Sequence, residues 1–187
     1  MLKLINETVD FLKQKGFENA EIGIILGTGL GQLINEIEII HEVSYNQIPN
    51  FPTATVEFHK GKLIHGLIEG KKTIVMQGRF HLYEGYSLQD VSYPVRIMKA
   101  FGIHSLLVSN ASGAINLNFK KSELMLIEDH INLQGGSPLA FSGVERLGTR
   151  FVDMSAPYDA EMNTSLKAIA KAKGIALHHG VYASVYG

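Results

Sequence analysis

Apolar side chains recur at helical spacing in three segments of the chain, each closely followed by a glycine. These segments are residues 3–15, 88–101 and 159–173. Polar and charged residues fill the opposite positions, which is typical of amphipathic helices that bury one face. Gly16, Gly102 and Gly174 suit helix C-termini, because glycine readily adopts a positive φ. The pattern therefore predicts three helices, and Pro94 must begin or bend the second one.

Short apolar runs between and after these helices predict β-strands. The runs are residues 21–26, 63–68, 73–76, 105–109, 124–127 and 179–186. The second and third runs flank Glu69–Lys72 and predict a β-hairpin. Strands that alternate with helices favour an α/β fold with a mostly parallel sheet. The prediction is an α/β protein with a central mixed, mostly parallel β-sheet flanked by helices, in a single domain over residues 1–187.

The composition is that of an ordinary globular protein. Hydrophobic residues make up 45% of the 187 positions and charged residues 19%, which excludes wholesale disorder. The 17 basic and 18 acidic residues give a formal net charge of -1, whereas a nucleic-acid-binding module usually has a clear basic excess. The chain has no cysteine, which excludes disulfides and a cysteine nucleophile. Without an apolar run of about 18 residues, we expect a soluble, cytoplasmic protein.

The first candidate for chemistry is Gly27–Gly31, a glycine-rich stretch directly after a predicted strand. A dinucleotide-binding loop would have a third glycine where Gln32 stands. A glycine loop after a strand can still hold an anion, because its backbone N–H groups converge and the Thr28 hydroxyl can donate. Phosphate binding and a purely structural turn both stay open for this motif alone.

The second candidate is Gln77–Tyr86. Alternation places Arg79, His81 and Tyr83 on one face if the segment stays extended. Arginine can bind a phosphate through two parallel hydrogen bonds, and histidine can hydrogen-bond to phosphate or sugar. The three together indicate a phosphate- and sugar-binding site, with three half-exposed strand residues as the alternative.

Small polar residues at Ser109–Ala114 follow another predicted strand. Their backbone N–H groups can bind an oxyanion, whereas a serine nucleophile is disfavoured because the Gly-x-Ser-x-Gly pattern is absent. A metal site built from His59, His65 and His81 matches no standard ligand spacing, and His65 is expected in a strand. We therefore expect no metal.

Taken together, these motifs resemble the trimeric purine nucleoside phosphorylases of the 6-oxopurine class. The stretches that carry the resemblance are Leu26–Gly31, Met76–Gly85, Ser109–Gly113, Ile127–Leu133, Gly148–Phe151 and Gly180–Tyr182. It implies a nucleoside-phosphorylase-like fold and a glycosyltransferase of cytoplasmic purine salvage. The implied reaction is the reversible phosphorolysis of purine ribo- and deoxyribonucleosides to free base and (deoxy)ribose 1-phosphate. The implied partners are inorganic phosphate and a purine nucleoside, with no cofactor, no metal, no nucleic acid and no membrane.

The resemblance also assigns roles to individual residues. The implied phosphate ligands are Thr28, His59, Arg79, His81 and the backbone of Ala111. Among them, His81 is also the implied catalytic residue, and His59 is the implied gate over the phosphate. Tyr83 is implied to contact the ribose, as is Phe151, which a neighbouring subunit of a homotrimer would supply.

The sequence stops at Gly187, directly after the last predicted strand. Because loops after strands build the sites of open α/β sheets, we expect that the chain is a fragment, incomplete at its C-terminus. The base-binding residues are expected after Gly187. Two other functions stay open: a methylthioadenosine phosphorylase of the same fold, which Tyr83–Gly85 disfavours, and a non-catalytic phosphate- or sugar-phosphate-binding module.

Overall fold

The computed structural model describes residues 1–52 and 61–186. The chain forms two compact units, Met1–Ala111 and Ser112–Gly187, and each has its own β-sheet. The predicted α/β class is confirmed, with a mixed sheet and flanking helices. The prediction of one domain over residues 1–187 stays a prediction. Within the described ranges, no helix combines the length and apolar character that crossing a bilayer requires.

The first unit is built on a five-stranded sheet with the strand order β2-β3-β4-β1-β5. Its strands are β1 (Ile22–Ile25), β2 (Glu38–Ser44), β3 (Lys62–Ile68), β4 (Lys71–Gln77) and β5 (Ser105–Val108). β1 lies in parallel between β4 and β5, whereas β2, β3 and β4 pair antiparallel. The carboxyl ends of β4, β1 and β5 therefore lie at one edge of the sheet.

The predicted hairpin is confirmed as β3 and β4. Its turn is shorter than the four-residue turn that the sequence suggested. Glu69 and Gly70 form the turn with φ values of +48° and +73°. Two successive positive φ angles match the twist of a two-residue hairpin. Across the hairpin, Ile64 pairs with Val75, and both side chains are fully buried. This pair anchors the register of the sheet, since a slip by one residue would expose it.

Strand β2 was not among the sequence predictions. Its first five residues, from Glu38 to Glu42, are exposed, and only Val43 is buried, so the buried–exposed alternation that marks a strand is missing. The strand lies at the edge of the sheet and has an irregularity in its pairing near Ile40. Glu42 also accepts a hydrogen bond from Lys62 at 2.6 Å. Bulges and charged side chains of this kind are common on edge strands, where they discourage pairing with other chains.

Two of the predicted helices belong to the first unit, as α1 (Leu2–Gln14) and α2 (Leu88–Ala100). α2 begins with a capping box, in which the Ser87 hydroxyl accepts from the Asp90 N–H and the Asp90 carboxylate accepts from the Ser87 N–H. These bonds satisfy donors that the first turn would otherwise leave unpaired. Pro94 lies inside α2 and is buried, so it does not begin the helix.

The second unit contains β6 (Leu124–Asn132), α3 (Ala160–Ala172) and β7 (Leu177–Ser184). β6 and β7 form a parallel two-stranded sheet, and α3 packs against β7. The third predicted helix is confirmed, and it begins where the Asp159 carboxylate accepts a hydrogen bond from Met162 N–H at 2.8 Å. β6 extends five residues beyond the predicted end at residue 127.

Candidate phosphate site at the carboxyl edge of the sheet

Three predicted motifs begin where the three parallel strands of the first unit end. Gly27 follows β1 after one residue, Arg79 follows β4 after one residue, and Ser109 comes directly after β5. In open α/β sheets this edge is where ligands bind, particularly where the strand order reverses. The strand order reverses at β1 in this sheet, since the chain runs from β1 to β2–β4 on one side and then to β5 on the other. The motifs thus converge because of the sheet topology.

The glycine stretch forms a tight turn in which Leu30 N–H donates to Gly27 O at 3.3 Å. Gly29, the third residue of this turn, has φ +88°, which a side chain would disfavour. At Gly27 the reason for glycine is space, because a Cβ there would lie 2.4 Å from Ser109 O and 2.6 Å from Asn110 Cα. Thr28 is exposed beside these glycines, so its hydroxyl and N–H can reach a ligand.

Arg79 is held by two hydrogen bonds that point its guanidinium along this edge. Strand β4 ends at Gln77, and Gly78 turns the chain with φ +88°. The Arg79 side chain then donates from Nη1 to Ser109 O at 2.7 Å and from Nε to His81 Nε2 at 3.1 Å. A guanidinium has five N–H donors, so three remain for an anion.

The contact with Arg79 determines the tautomer of His81. Arginine has no acceptor, so His81 Nε2 must accept and the ring proton lies on Nδ1. Nδ1 in turn contacts the Glu84 carboxylate. Glu84 was not predicted, although its position three residues after His81, directly before a glycine, is a signal for a short helical turn.

The predicted reason for the clustering of Arg79, His81 and Tyr83 is wrong, although the three residues do meet. The segment does not stay extended, because Leu82–Glu84 forms a 3-10 turn. This turn stacks the Tyr83 ring on the His81 ring, with centroids 4.7 Å apart and planes 14° apart. The Tyr83 side chain is 63% exposed, which leaves much of its outer surface for a ligand.

Tyr45 supports the site from the protein interior. Its hydroxyl donates to Gly78 O at 2.7 Å, one residue before Arg79, and its ring packs on Phe80 with centroids 5.2 Å apart. Burial raises the pKa of Tyr45 well above its usual value, so the hydroxyl keeps its proton and remains a donor. Sequence reasoning missed Tyr45, which lies between β2 and β3, far from the motif that it supports.

The three remaining predicted site residues lie in different parts of the chain. Ala111 is exposed beyond the end of β5, at the edge that also carries Thr28 and Arg79. Phe151 belongs to the second unit and is 86% exposed. His59 lies outside the described residues.

The histidines considered for a metal site have different surroundings. His65 is in strand β3, as predicted, and is buried against the Phe17 ring, whereas His81 is bonded to Arg79 and Glu84. Across residues 1–52 and 61–186, no group of three or more histidine, aspartate or glutamate side chains is placed to hold a metal ion.

Comparison with known proteins gives the class of this fold. A model of the phosphorylase superfamily matches residues 21–187. Purine nucleoside phosphorylase 1 of Geobacillus stearothermophilus is 46% identical over 183 residues, which make up 98% of this chain and 67% of that protein. The purine nucleoside phosphorylase of Bos taurus is 39% identical, over 97% of this chain and 64% of its own length.

Solved structures agree with these sequence relatives. The purine nucleoside phosphorylase of Schistosoma mansoni in complex with acetate has a TM-score of 0.94 and 37% identity, over 99% of this chain and 70% of that one. Isoform 2 of the same organism, in complex with cytosine and ribose-1-phosphate, has a TM-score of 0.91 and 39% identity, over 97% of this chain and 65% of that one. The chain belongs to the phosphorylase superfamily and, within it, to the purine nucleoside phosphorylases. It spans about two thirds of the length of these relatives.

Proposed function

We propose that this chain provides the phosphate-binding part of an enzyme that carries out the reversible phosphorolysis of purine ribo- and deoxyribonucleosides. A phosphate oxygen attacks the anomeric carbon, the bond from that carbon to the base nitrogen breaks, and the base leaves with the electron pair and takes up a proton. The products are the free base and (deoxy)ribose 1-phosphate. The observation that carries the proposal is the guanidinium of Arg79, fixed at the carboxyl edge of the sheet beside the glycine turn.

Phosphate binding follows from the donors at this edge. In this proposal the three remaining N–H groups of Arg79, the Thr28 hydroxyl and the Ala111 backbone N–H bind the anion, with one permanent positive charge among them. Such preorganised donors hold the anionic nucleophile in place, and the negative charge of the bound phosphate stabilises the positive charge that develops on the sugar. His59 stays a predicted phosphate ligand and gate.

His81 is the proposed catalytic residue, because its Nε2 carries a lone pair at the phosphate edge. Phosphate near neutral pH still carries at least one proton, and its hydroxyl can donate to Nε2 in place of Arg79 Nε, whose freed N–H then donates to a phosphate oxygen. This exchange leaves the unprotonated phosphate oxygens free to face the sugar and to accept from Arg79. Glu84 holds the ring in this tautomer, as an oriented base requires.

The ribose and base parts of the site rest on fewer observations. Tyr83 stacks on His81 and is exposed, which suits a ring that packs against the sugar held above the phosphate. Phe151 is the proposed second ribose contact, supplied by a neighbouring subunit of a homotrimer, and its 86% exposure suits such a role. The proposed enzyme acts in cytoplasmic purine salvage, needs no cofactor, and reads the base with residues after Gly187.

The test is phosphate-dependent release of hypoxanthine from inosine. It uses two proteins, this chain and the same chain extended past Gly187 by the corresponding segment of the Geobacillus stearothermophilus relative. We expect release by the extended chain, and loss of most of it in an Arg79→Ala variant of that chain. Release by neither folded protein would contradict the proposal.

The same assay distinguishes the two other functions. Preference for methylthioadenosine over inosine would indicate the methylthioadenosine phosphorylase. Phosphate binding without turnover of either nucleoside would indicate a non-catalytic phosphate-binding module.

A further inference from the structure

Ser109 contacts both parts of the candidate phosphate site. Its Oγ accepts a hydrogen bond from Gly27 N–H at 3.0 Å, and its carbonyl oxygen accepts from Arg79 Nη1 at 2.7 Å. Its N–H and its hydroxyl both donate to Ile25 O, at 3.0 Å and 3.3 Å. One residue after β5 is therefore bonded to β1, to the glycine turn that follows β1, and to the arginine that follows β4.

The hydroxyl of Ser109 can make both of its bonds at once. A hydroxyl has one donor and two acceptor positions, and here it donates to Ile25 O and accepts from Gly27 N–H. Gly27 N–H is partly buried, and a buried amide without an acceptor costs free energy. The serine hydroxyl thus gives the turn one preferred orientation relative to β5.

Close packing makes this orientation hard to replace. The gap between Gly27 and the Ser109–Asn110 backbone is too narrow for a Cβ, so the glycine turn lies directly against the end of β5. Loss of the hydroxyl would leave this contact but remove the hydrogen bond that sets its angle. Thr28, the next residue, would then be held less firmly in its position.

We propose that Ser109 is a positioning residue of the phosphate site. Its hydroxyl orients the turn that carries Thr28, and its carbonyl oxygen orients the guanidinium of Arg79, so that one residue sets the spacing between the two groups that bind the anion. The inference rests on the proposed function, because it concerns the same phosphate. It adds a residue that touches neither phosphate nor nucleoside.

The test is isothermal titration of inorganic phosphate into the wild-type chain and three variants. Ser109→Ala should weaken phosphate binding about threefold to tenfold, the range that corresponds to one net hydrogen bond. Ser109→Thr keeps the hydroxyl and should stay within about twofold of wild type. Ser105→Ala is the matched control, because Ser105 lies at the opposite end of the same strand and its hydroxyl is hydrogen-bonded to the neighbouring His104.

A thermal unfolding series separates positioning from a merely structural role. The unfolding midpoint without phosphate reports stability, and the rise in that midpoint with added phosphate reports binding. We expect Ser109→Ala to reduce the rise by more than Ser105→Ala does, even if both lower the midpoint equally. If Ser109→Ala does not fold, Ser109→Cys, which keeps a weak donor and acceptor, is measured against the same thresholds.

Each outcome decides the question. Phosphate binding by Ser109→Ala that matches wild type would overturn the role of Ser109 and leave the phosphate site intact. Equal weakening by Ser109→Ala and Ser109→Thr would show that the hydroxyl is not the cause and would also overturn it. Failure of the wild-type chain to bind phosphate would overturn the proposed phosphate site, and the role of Ser109 with it.

Discussion

Arg79 Nε lies 3.1 Å from His81 Nε2, and this contact gives the histidine its chemical form at the site. Because the guanidinium can only donate, His81 presents a lone pair on the side of Arg79 and a proton on the side of Glu84. A cation and an acceptor thus lie next to each other at the carboxyl edge of the sheet. In the proposed complex, a phosphate hydroxyl donates to His81 Nε2 in place of Arg79 Nε, and the guanidinium then donates to the unprotonated phosphate oxygens.

Arg79→Ala should weaken phosphate binding about tenfold to a hundredfold, because a hydrogen bond to a charged group is worth about 1.5–3 kcal/mol. Phosphate titration calorimetry measures the affinity, and thermal unfolding without phosphate checks that folding is preserved. Arg146→Ala is the control with the same change in net charge, since Arg146 is an exposed arginine of the second unit. A phosphate affinity unchanged in Arg79→Ala would refute the assignment of Arg79.

Glu84 gives a prediction that separates orientation from charge. Glu84→Gln removes a negative charge near the phosphate but keeps an oxygen that can accept from His81 Nδ1, so its phosphate affinity should equal or exceed that of wild type. Glu84→Ala removes the charge and the acceptor, and it should bind phosphate about threefold to tenfold more weakly than Glu84→Gln. Titration of both variants checks the difference. Equal affinities would mean that Glu84 does not orient His81.

Local sequence signals predicted much of the fold because the relevant physics is local. The three helices were predicted from their apolar period and their glycine stops, and the hairpin from two strand-like runs around Glu69–Lys72. Strand β2 was not predicted, because an edge strand that exposes Ile39 and Ile40 has no alternation to detect. Its place in the sheet comes from long-range pairing with β3.

The candidate site shows the same difference between what local sequence signals predict and what long-range contacts determine. Arg79, His81 and Tyr83 could be singled out because unusual residue types lie close together in the chain. Their geometry was not predicted, because the prediction assumed an extended segment, whereas Leu82–Glu84 forms a 3-10 turn. Ser109 and Tyr45 make hydrogen bonds with Arg79 and Gly78 from distant parts of the chain, and the fold of the sheet brings them there.

A buried hydroxyl pair between α1 and α2 yields a stability prediction. The fully buried Thr8 donates to Pro49 O at 2.7 Å and lies 2.8 Å from the Tyr93 hydroxyl, which is also 2.9 Å from Leu4 O. Thr8→Val keeps the shape and removes the two bonds of the Thr8 hydroxyl, to Pro49 O and to the Tyr93 hydroxyl, so the free energy of unfolding should fall by about 1–2 kcal/mol.

Urea-induced unfolding of the wild-type chain and the variant measures this change. Thr164→Val is the matched control, because Thr164 is an exposed threonine in α3 whose hydroxyl donates to Ala160 O within its own helix. Its effect should stay within about 0.5 kcal/mol. Equal losses in the two variants would contradict a special role for Thr8.

His65 lies in an environment that disfavours its charged form. Its side chain is 2% exposed, and neither ring nitrogen has a hydrogen-bond partner among the described residues. The rings of Phe17 and His41 stack against it with centroids 5.5 Å and 6.1 Å away. Burial lowers the pKa of His65, the positive charges of His41 and Lys72 lower it further, and Glu18 opposes the shift.

This burial predicts that mild acid destabilises the chain through His65. The unfolded chain binds a proton at its ordinary pKa of about 6.5, whereas the folded chain binds it only at a lower pH, so protonation favours unfolding. The stability that neutral His65 contributes is fully present above about pH 6.5 and is lost as the pH falls from there through the pKa of the folded state. Urea unfolding between pH 8 and pH 5 should therefore show a decline in the free energy of unfolding that is smaller in His65→Phe, because phenylalanine cannot be protonated.

His104→Phe is the control, because His104 is exposed and its replacement should leave this decline unchanged. An identical pH dependence in wild type and His65→Phe would mean that other groups cause the acid sensitivity.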